Sequence, residues 1–516
     1  MRLKYFNFIT VLILTVFPLL LNSQIISKVE ISGTKQISID KIRPLIKSRW
    51  QARLDTLNLE ADRKAIENYY FEEGFLEARC KTDIQLNNKS TIANIQFIIH
   101  EGSLYFFGEI FFSGLQNLDQ DFVHKLLDIE NGQRFSREKI IKSQLRAIST
   151  GLFNDIEIKM QDIDTEKKLI SVIVVVIEKK KHASHLGTGF DTEDGAKVFF
   201  EWKNRNINGR GFGVSTNSFA SADYINSVYF KHGSFGVSVF DPYIFYLPID
   251  WKLSLLYNND KPKYVNFGIE NYIAEMIFFH NLSNIDQISL RFRIQKDRIF
   301  NATFQTKNKK FINLFMVDDN RYVGISYERD QRDDMIDPSA GIYFYSYLEN
   351  AGGFLGGNNK FIKLIFNLNN YYNIFRQFVI ANKINIGSIE SGDPSSIPSY
   401  LRLFLGGSGS LRGYPERSVG PKNPDGSAQG GNFLFLNNFE IRYYLSYKFN
   451  LVGFVDTGNI WEKRIAARIN TLYWSSGLGA RYRTKFGFFR LDFGLQLNEL
   501  PEKYIGKIHF GFGQSF

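Results

Sequence analysis

From residue 182 onward the chain alternates apolar and polar residues over short segments divided by turn-rich stretches, most clearly in Lys197–Lys203, Gly341–Leu348, Phe433–Tyr443 and Phe489–Leu497. Successive strand side chains point to opposite faces, so a period of two predicts strands with one apolar and one polar face. In the third segment Phe433, Phe435, Asn437, Phe439, Ile441 and Tyr443 share one face, and Asn438, Glu440 and Arg442 share the other. In the fourth, Phe489, Leu491, Phe493, Leu495 and Leu497 oppose Arg490, Asp492, Gly494 and Gln496. The texture before residue 182 is mixed. There Phe122, Leu126 and Ile129, and again Ile140, Ile141, Leu145 and Ile148 behind an N-cap at Ser136, are spaced for two helices. Ile156 and Ile158, then Ile170, Val172, Val174 and Val176, alternate as strands.

This first part repeats itself. Lys28-Val-Glu-Ile-Ser-Gly33 returns as Glu109-Ile-Phe-Phe-Ser-Gly114, Glu73-Gly-Phe75 as Thr150-Gly-Leu-Phe153, and Ile95–Glu101 as Val172–Glu178. Two tandem units are therefore expected, 24–102 and 103–181, each running strand, helix, helix, strand, strand. The arrangement resembles the POTRA domain, a small α+β module. The resemblance implies a periplasmic location and capture of extended polypeptide by an exposed strand edge, which offers main-chain hydrogen bonds without demanding a sequence. Two modules that act only as spacers are the plainer alternative. Lys179-Lys180-Lys181 is read as a solvated joint.

Arg2 and Lys4 precede an apolar run from Phe6 to Leu21 that ends in Leu21-Asn22-Ser23, the pattern of a secretory signal peptide spanning residues 1–23. No later apolar run is long enough for a membrane helix, so an exported chain of this kind either stays soluble or crosses a membrane as strands. A soluble sandwich would also alternate. Export, aromatics at many strand ends and an aromatic last residue favour a transmembrane β-barrel over residues 182–516. At roughly 21 residues per strand and turn the segment holds about 16 antiparallel strands. The last strand, Tyr504–Phe516, carries Tyr504, Ile508, Phe510, Phe512 and Phe516 on one face. Phe510, Phe512 and Phe516 resemble the C-terminal sorting signal of bacterial outer-membrane proteins.

Composition trims the alternatives. Phe numbers 49 and Pro only 12, as suits paired strands that cannot spare ladder donors. The net charge of +10 is too dilute to argue for nucleic acid. Cys80 is the single cysteine, which excludes internal disulfides and thiolate metal clusters. Gly406-Gly407-Ser408-Gly409 lacks the Lys-Ser/Thr and helix of a phosphate loop. His182 and His185 beside the lysines are not read as a metal site, and the acidic run Asp330–Asp337 is read as a solvated hairpin. No nucleophile and base stand together, so neither an enzyme nor a cofactor is expected.

The most informative segment is Leu405-Gly-Gly-Ser-Gly-Ser-Leu-Arg-Gly-Tyr-Pro415. Its Leu411-Arg412-Gly413-Tyr414 resembles the (V/L)RG(F/Y) motif of the BamA/TamA superfamily of outer-membrane barrel assembly and two-partner secretion proteins. Asn438-Phe439-Glu440-Ile441-Arg442, Phe454-Val455-Asp456-Thr457-Gly458, and the closing hairpin with Arg481 and Asp492 resemble that superfamily's later motifs, in its order. The resemblance implies a long loop folded back into the barrel. Arg412 is then expected to pair with Asp456 as main partner, with Glu440 as the competing acceptor. It implies an insertase or translocase in the outer membrane of a Gram-negative bacterium, receiving unfolded outer-membrane or secreted polypeptides through its POTRA domains. Outer-membrane lipid and accessory periplasmic or lipoprotein subunits would be its other partners. A secretion pore for one dedicated protein and, from another class, a passive porin or uptake channel are the alternatives.

Overall fold

The computed structural model describes residues 24–516 apart from 88–90, 224–228, 244–246, 248, 263–264, 266, 307–308, 394–395, 486, 499–505 and 513–516, and leaves the side chains of Tyr229 and 301–316 undescribed. The expected signal peptide, Tyr504 and Phe516 lie outside the described residues. The chain divides into two compact units between Lys179 and Lys180.

The first unit is a pair of similar modules. Strands β1 (Ile25–Ser32), β2 (Arg79–Leu86) and β3 (Ile92–His100) form one sheet, and β4 (Phe106–Ser113), β5 (Phe153–Asp164) and β6 (Leu169–Glu178) form the other. In each sheet the third strand lies in the middle, parallel to the first and antiparallel to the second. One face is covered by two helices, Ile39–Ile42 and Thr56–Glu72 in the first module, Gln120–Leu126 and Arg137–Ser149 in the second. Asp55 and Asp119 cap the helices that follow them, accepting from Leu57 N and Asp121 N. Ser136 stands at the N-cap of its helix but makes no side-chain cap bond.

The helical spacing is corrected in two places. Ile129 lies beyond the helix that ends at Leu126, although it is fully buried. In the next helix only Ile140 of the four expected core residues is buried. Ser143 and Ala147 complete the inner face, with Ser143 Oγ accepting from Asp128 N at 2.8 Å, while Ile141, Leu145 and Ile148 are exposed. A small polar residue that satisfies a loop amide has displaced the apolar pattern.

The recurring Ser-Gly and Glu of the repeat have a shared task. After β1 and β4 the chain turns at Gly33 and Gly114, both at φ +88°, where an added Cβ would press into the carbonyl of Ile99 or Val176. The freed amides then close on a carboxylate at the end of the central strand. Glu101 accepts from Lys35, Gln36 and Ile37, and Glu178 accepts from Gln116, Asn117 and Leu118. Arg134 joins the modules by donating to Glu73 O and pairing with its carboxylate at 3.0 Å.

The second unit is a single sheet of sixteen strands, consecutive neighbours throughout and antiparallel. In order these are β7 (His182–Asp191), β8 (Gly195–Asn204), β9 (Gly213–Asp223), β10 (Tyr229–Asp241), β11 (Asp250–Asp260), β12 (Gly268–Asn281), β13 (Asp286–Thr306) and β14 (Lys309–Asp330). β15 (Gly341–Ala351), β16 (Phe361–Phe375), β17 (Phe378–Glu390), β18 (Phe433–Tyr444), β19 (Phe449–Trp461), β20 (Tyr473–Thr484), β21 (Gly487–Gln496) and β22 (Gly506–Phe512) follow. The sheet curls until its ends meet. Thr192 N donates to Phe510 O at 3.1 Å, and the Phe190 and Phe510 rings lie 6.4 Å apart. Phe489, Leu491, Phe493, Ile508, Phe510 and Phe512 face outward, while Arg490, Asp492 and His509 are buried inside. This is a nearly closed barrel with an apolar exterior, which excludes the sandwich. Among the described residues no helix is long and apolar enough to cross a membrane.

Candidate functional site

In the connection between β17 and β18, residues 405–419 fold into the barrel and pack on its inner wall. Leu405, Leu411, Tyr414 and Val419 of this loop bury themselves against Leu434, Leu436 and Ile460 of β18 and β19. That contact explains why the lumen face of β18 begins with two leucines before it turns polar at Asn438.

Strand register builds the wall on which Arg412 lands. Asn438 stands opposite Asp456, Asp456 opposite Ser475, and Glu440 opposite Phe454. Asp456 holds Arg412 by both carboxylate oxygens, from Nε at 2.9 Å and Nη2 at 2.6 Å, and also takes the Arg412 backbone N at 3.1 Å. Nη1 donates to Glu440 at 2.6 Å. The two carboxylates therefore act together, and Glu440 is a full partner in place of the expected competitor. The guanidinium carbon sits 3.5 Å from the ring centre of Phe454, and Asn438 and Ser475 donate to Asp456 at 2.8 and 3.3 Å.

Arg412 is only 1% exposed, so its charge must be balanced in place. Glu440 bonds in turn to Arg442 Nε at 2.9 Å, which makes a row of two buried cations and two buried anions. Arg481 and Asp492 form a third buried pair through Nη1 to Oδ1 at 2.6 Å and Nη2 to Oδ2 at 3.2 Å, on the penultimate hairpin of β20 and β21.

The rest of the motif fixes the approach of the loop. A Cβ on Gly413 would stand 2.7 Å from Leu495 O, and one on Gly494 would stand 2.7 Å from Arg412 O, so two glycines face each other where loop and wall backbones touch. Gln496 donates to Gly413 O at 3.0 Å, and the Tyr414 hydroxyl reaches the carbonyls of Trp474 and Asn498. His509 of β22 lies 2.7 Å from Arg412 O through Nε2. Phe510 and Phe512 stand on the outer face, away from this network, and Phe516 lies outside the described residues. Strand parity alone would have added Ser475 and His509 to the lumen set. Phe454 carries no polar signal, and its place under the guanidinium follows only from the fold.

β22 and β7 are the two ends of the hydrogen-bonded strand order. Among the described residues a single backbone bond, Thr192 to Phe510, crosses between them, whereas every other neighbouring pair shares a ladder. The acidic run at 330–337 is only partly the solvated hairpin expected: Asp333 takes the amides of Ser339 and Ala340 and Arg332 pairs with Asp330 at 2.7 Å, but Asp337 is buried and accepts from the Tyr444 hydroxyl at 2.9 Å. Among the described residues no group of three or more candidate ligands could hold a metal.

Comparison with known proteins agrees with this architecture. The model of the Omp85 superfamily domain matches residues 206–516, and that of the POTRA surface antigen variable number repeat matches 24–102 and 105–179. The outer membrane protein assembly factor BamA of Nitratidesulfovibrio vulgaris is 23% identical over 480 residues, which cover 89% of this chain and 57% of that relative. The chain thus spans less than two thirds of its length. Among solved structures, BamA from Haemophilus ducreyi lacking POTRA domains 1–3 superposes with a TM-score of 0.69 at 16% identity, covering 95% of this chain and 99% of that one. CdiB from Acinetobacter baumannii gives 0.54 at 11% identity, covering 95% and 89%.

Proposed function

The chain belongs to the Omp85 superfamily, as an outer-membrane β-barrel with periplasmic POTRA domains, and from that premise we propose that it assembles polypeptides into the outer membrane. The observation that carries this reading is the seam. Parting β7 from β22 breaks one backbone bond among the described residues, whereas parting any other neighbouring pair breaks a ladder. Each backbone hydrogen bond lost to an apolar surround costs a few kcal/mol, so the barrel opens sideways there first. An incoming strand can satisfy the exposed edges by adding to them.

The POTRA domains would receive the unfolded client and the barrel would template it, with the client's own folding supplying the free energy. No covalent step is needed.

The test joins the seam covalently. Thr192→Cys with Phe510→Cys places thiols on residues whose backbones already bond across it. Burial pushes the native Cys80 thiol up to about 11, which keeps it protonated at neutral pH. Oxidation of the pair in reconstituted protein is expected to stop client insertion and reduction to restore it. Wild-type insertion through an oxidised seam would overturn the reading.

A further inference from the structure

The loop that carries Arg412 is also held from the other side of the seam. Lys231, at the start of β10, is 3% exposed, and its ammonium has three acceptors: Glu416 Oε2 at 2.8 Å, Glu193 O at 2.9 Å and Asp194 Oδ1 at 3.0 Å. An ammonium has three protons to give, so the site is complete. Glu416 belongs to the loop. Glu193 and Asp194 belong to the turn between β7 and β8.

The same turn makes a second tie. The Glu193 carboxylate accepts from Ser408 N at 2.5 Å and from Ser408 Oγ at 2.9 Å. Gly407 makes room for it, since at φ +105° it carries no Cβ where one would stand 2.5 Å from Glu193 Oε1. His509 Nδ1 on β22 is 3.7 Å from that oxygen. So Arg412 O meets the last strand, while four residues to either side Ser408 meets the first hairpin directly and Glu416 reaches it through Lys231.

We propose that Lys231 and Glu193 form a clasp that holds the β7–β8 hairpin to the loop, so that the loop, through this clasp on one side and the Arg412 network on the other, keeps the seam shut. Among the described residues one backbone bond crosses the seam, and the polar groups of the loop add to it. The two halves are unequal. Arg412 bonds to Asp456 and Glu440 on β18 and β19, strands that stay paired when β7 leaves β22. The clasp lies on the part that must move. Opening therefore breaks the clasp and spares the Arg412 network, and Lys231 and Glu193 are positioning residues that set how readily the barrel opens.

This inference rests on the seam being the working edge, and its test reads seam closure without a client. In reconstituted full-length Thr192→Cys/Phe510→Cys protein, Lys231→Met is expected to slow disulfide formation across the seam at least threefold. Lys231→Arg, which keeps the charge, should recover part of the rate. Glu193→Gln with Ser408→Ala removes the other tie without leaving a buried unpaired ammonium and should slow the reaction in the same direction. A second pair, Ser410→Cys with Asn438→Cys, reports loop docking through the contact of Asn438 Nδ2 with Ser410 O and should react at the parental rate in every variant. Parental seam rates in both Lys231→Met and the Glu193/Ser408 variant would overturn the clasp. Equal slowing of both cysteine pairs would overturn it too, as general loosening. A seam that loosens as expected while client insertion is unaffected would sink the assembly reading and leave the clasp standing.

Discussion

At the scale of single residues, the Arg412 site is governed by what happens to a buried charge when one partner is removed. Breaking a buried pair costs about 3–5 kcal/mol, mostly because the survivor cannot be solvated. Arg412→Ala takes the guanidinium from Asp456 and leaves it the neutral donors Asn438, Ser475 and the backbone N of residue 412, so the loop should undock and client insertion fall at least tenfold. Arg412→Lys keeps the charge and loses the fork, and should fall between. Glu440→Gln should be nearly as harmful as Arg412→Ala, because Arg442 would lose the carboxylate at its Nε and Arg412 one of its two. The swap Arg412→Asp with Asp456→Arg should fail to rescue, since the new aspartate would face Glu440. Insertion assays at matched barrel abundance, with hydrogen exchange over residues 405–419 as the report of docking, check all four; a mild Glu440→Gln would dissolve the four-charge row. The identity of these residues was legible because the motifs around Arg412, Glu440, Asp456, Arg481 and Asp492 stand in the superfamily's order and strand parity puts Glu440 and Asp456 on the lumen face. That Glu440 serves two arginines was not, because sequence gives parity but not the angle at which a loop descends. Lys231 and Glu193 left no trace for the same reason, each being an ordinary charged residue until distant segments meet.

At the scale of elements, the repeat shows which sequence features are structural signals and which are coincidences of spacing. The two strands Ile95–Glu101 and Val172–Glu178 end on glutamates that close the loop after the first strand of each module. For Glu101, burial raises the carboxyl, but the amides of Lys35, Gln36 and Ile37 and the Tyr70 hydroxyl outweigh it and hold the group below its ordinary value. Glu178 is lowered in the same way, burial being outweighed by Gln116, Leu118 and Asn117. A carboxylate lowered in the folded state stabilises it fully above the unfolded value, near 4.3, and the contribution fades as pH falls through the folded value. Protection of the 35–37 and 116–118 amides should therefore persist at pH 5 and collapse only in stronger acid. Glu101→Gln should cost about 2 kcal/mol at neutral pH and remove most of the acid dependence at 35–37 alone. Hydrogen exchange on the full chain measures both, and unaltered protection of 35–37 in that variant would refute the capping role. The helix Arg137–Ser149 is the opposite case: its apolar spacing pointed to Ile140, Ile141, Leu145 and Ile148, of which only Ile140 took the inner face, beside Ser143 and Ala147. Hydrophobic period locates a helix more surely than it orients one, since a serine that satisfies a buried amide can outbid a leucine for an inner position.

At the scale of the whole molecule, sixteen strands could be counted from the sequence because a membrane fixes strand length and a closed sheet needs every backbone group paired. The seam could not be seen, because pattern along a strand does not tell which two strands end the hydrogen-bonded order. The division between Lys179 and Lys180 carries its own expectation. Each POTRA module buries a core of its own, built in the first around Ile26, Ile66, Tyr70, Phe75 and Phe97. The barrel's sheet is built, among the described residues, from β7 through β22 alone. Removing residues 24–179 should therefore leave a barrel that still migrates differently with and without heating, at a yield within a few-fold of the full chain in detergent. It should keep the Arg412 network, whose partners all lie beyond residue 408, and its seam disulfide should form as before, since Glu193 and Lys231 remain. What it should lose is delivery: clients supplied unfolded at low concentration would insert poorly, while clients supplied in excess would recover part of the rate, as expected when an edge that concentrates substrate has been removed. A truncated barrel that folds and still inserts dilute clients at the full rate would relegate the POTRA domains to spacers. One that never folds would show that the two units depend on each other for more than position.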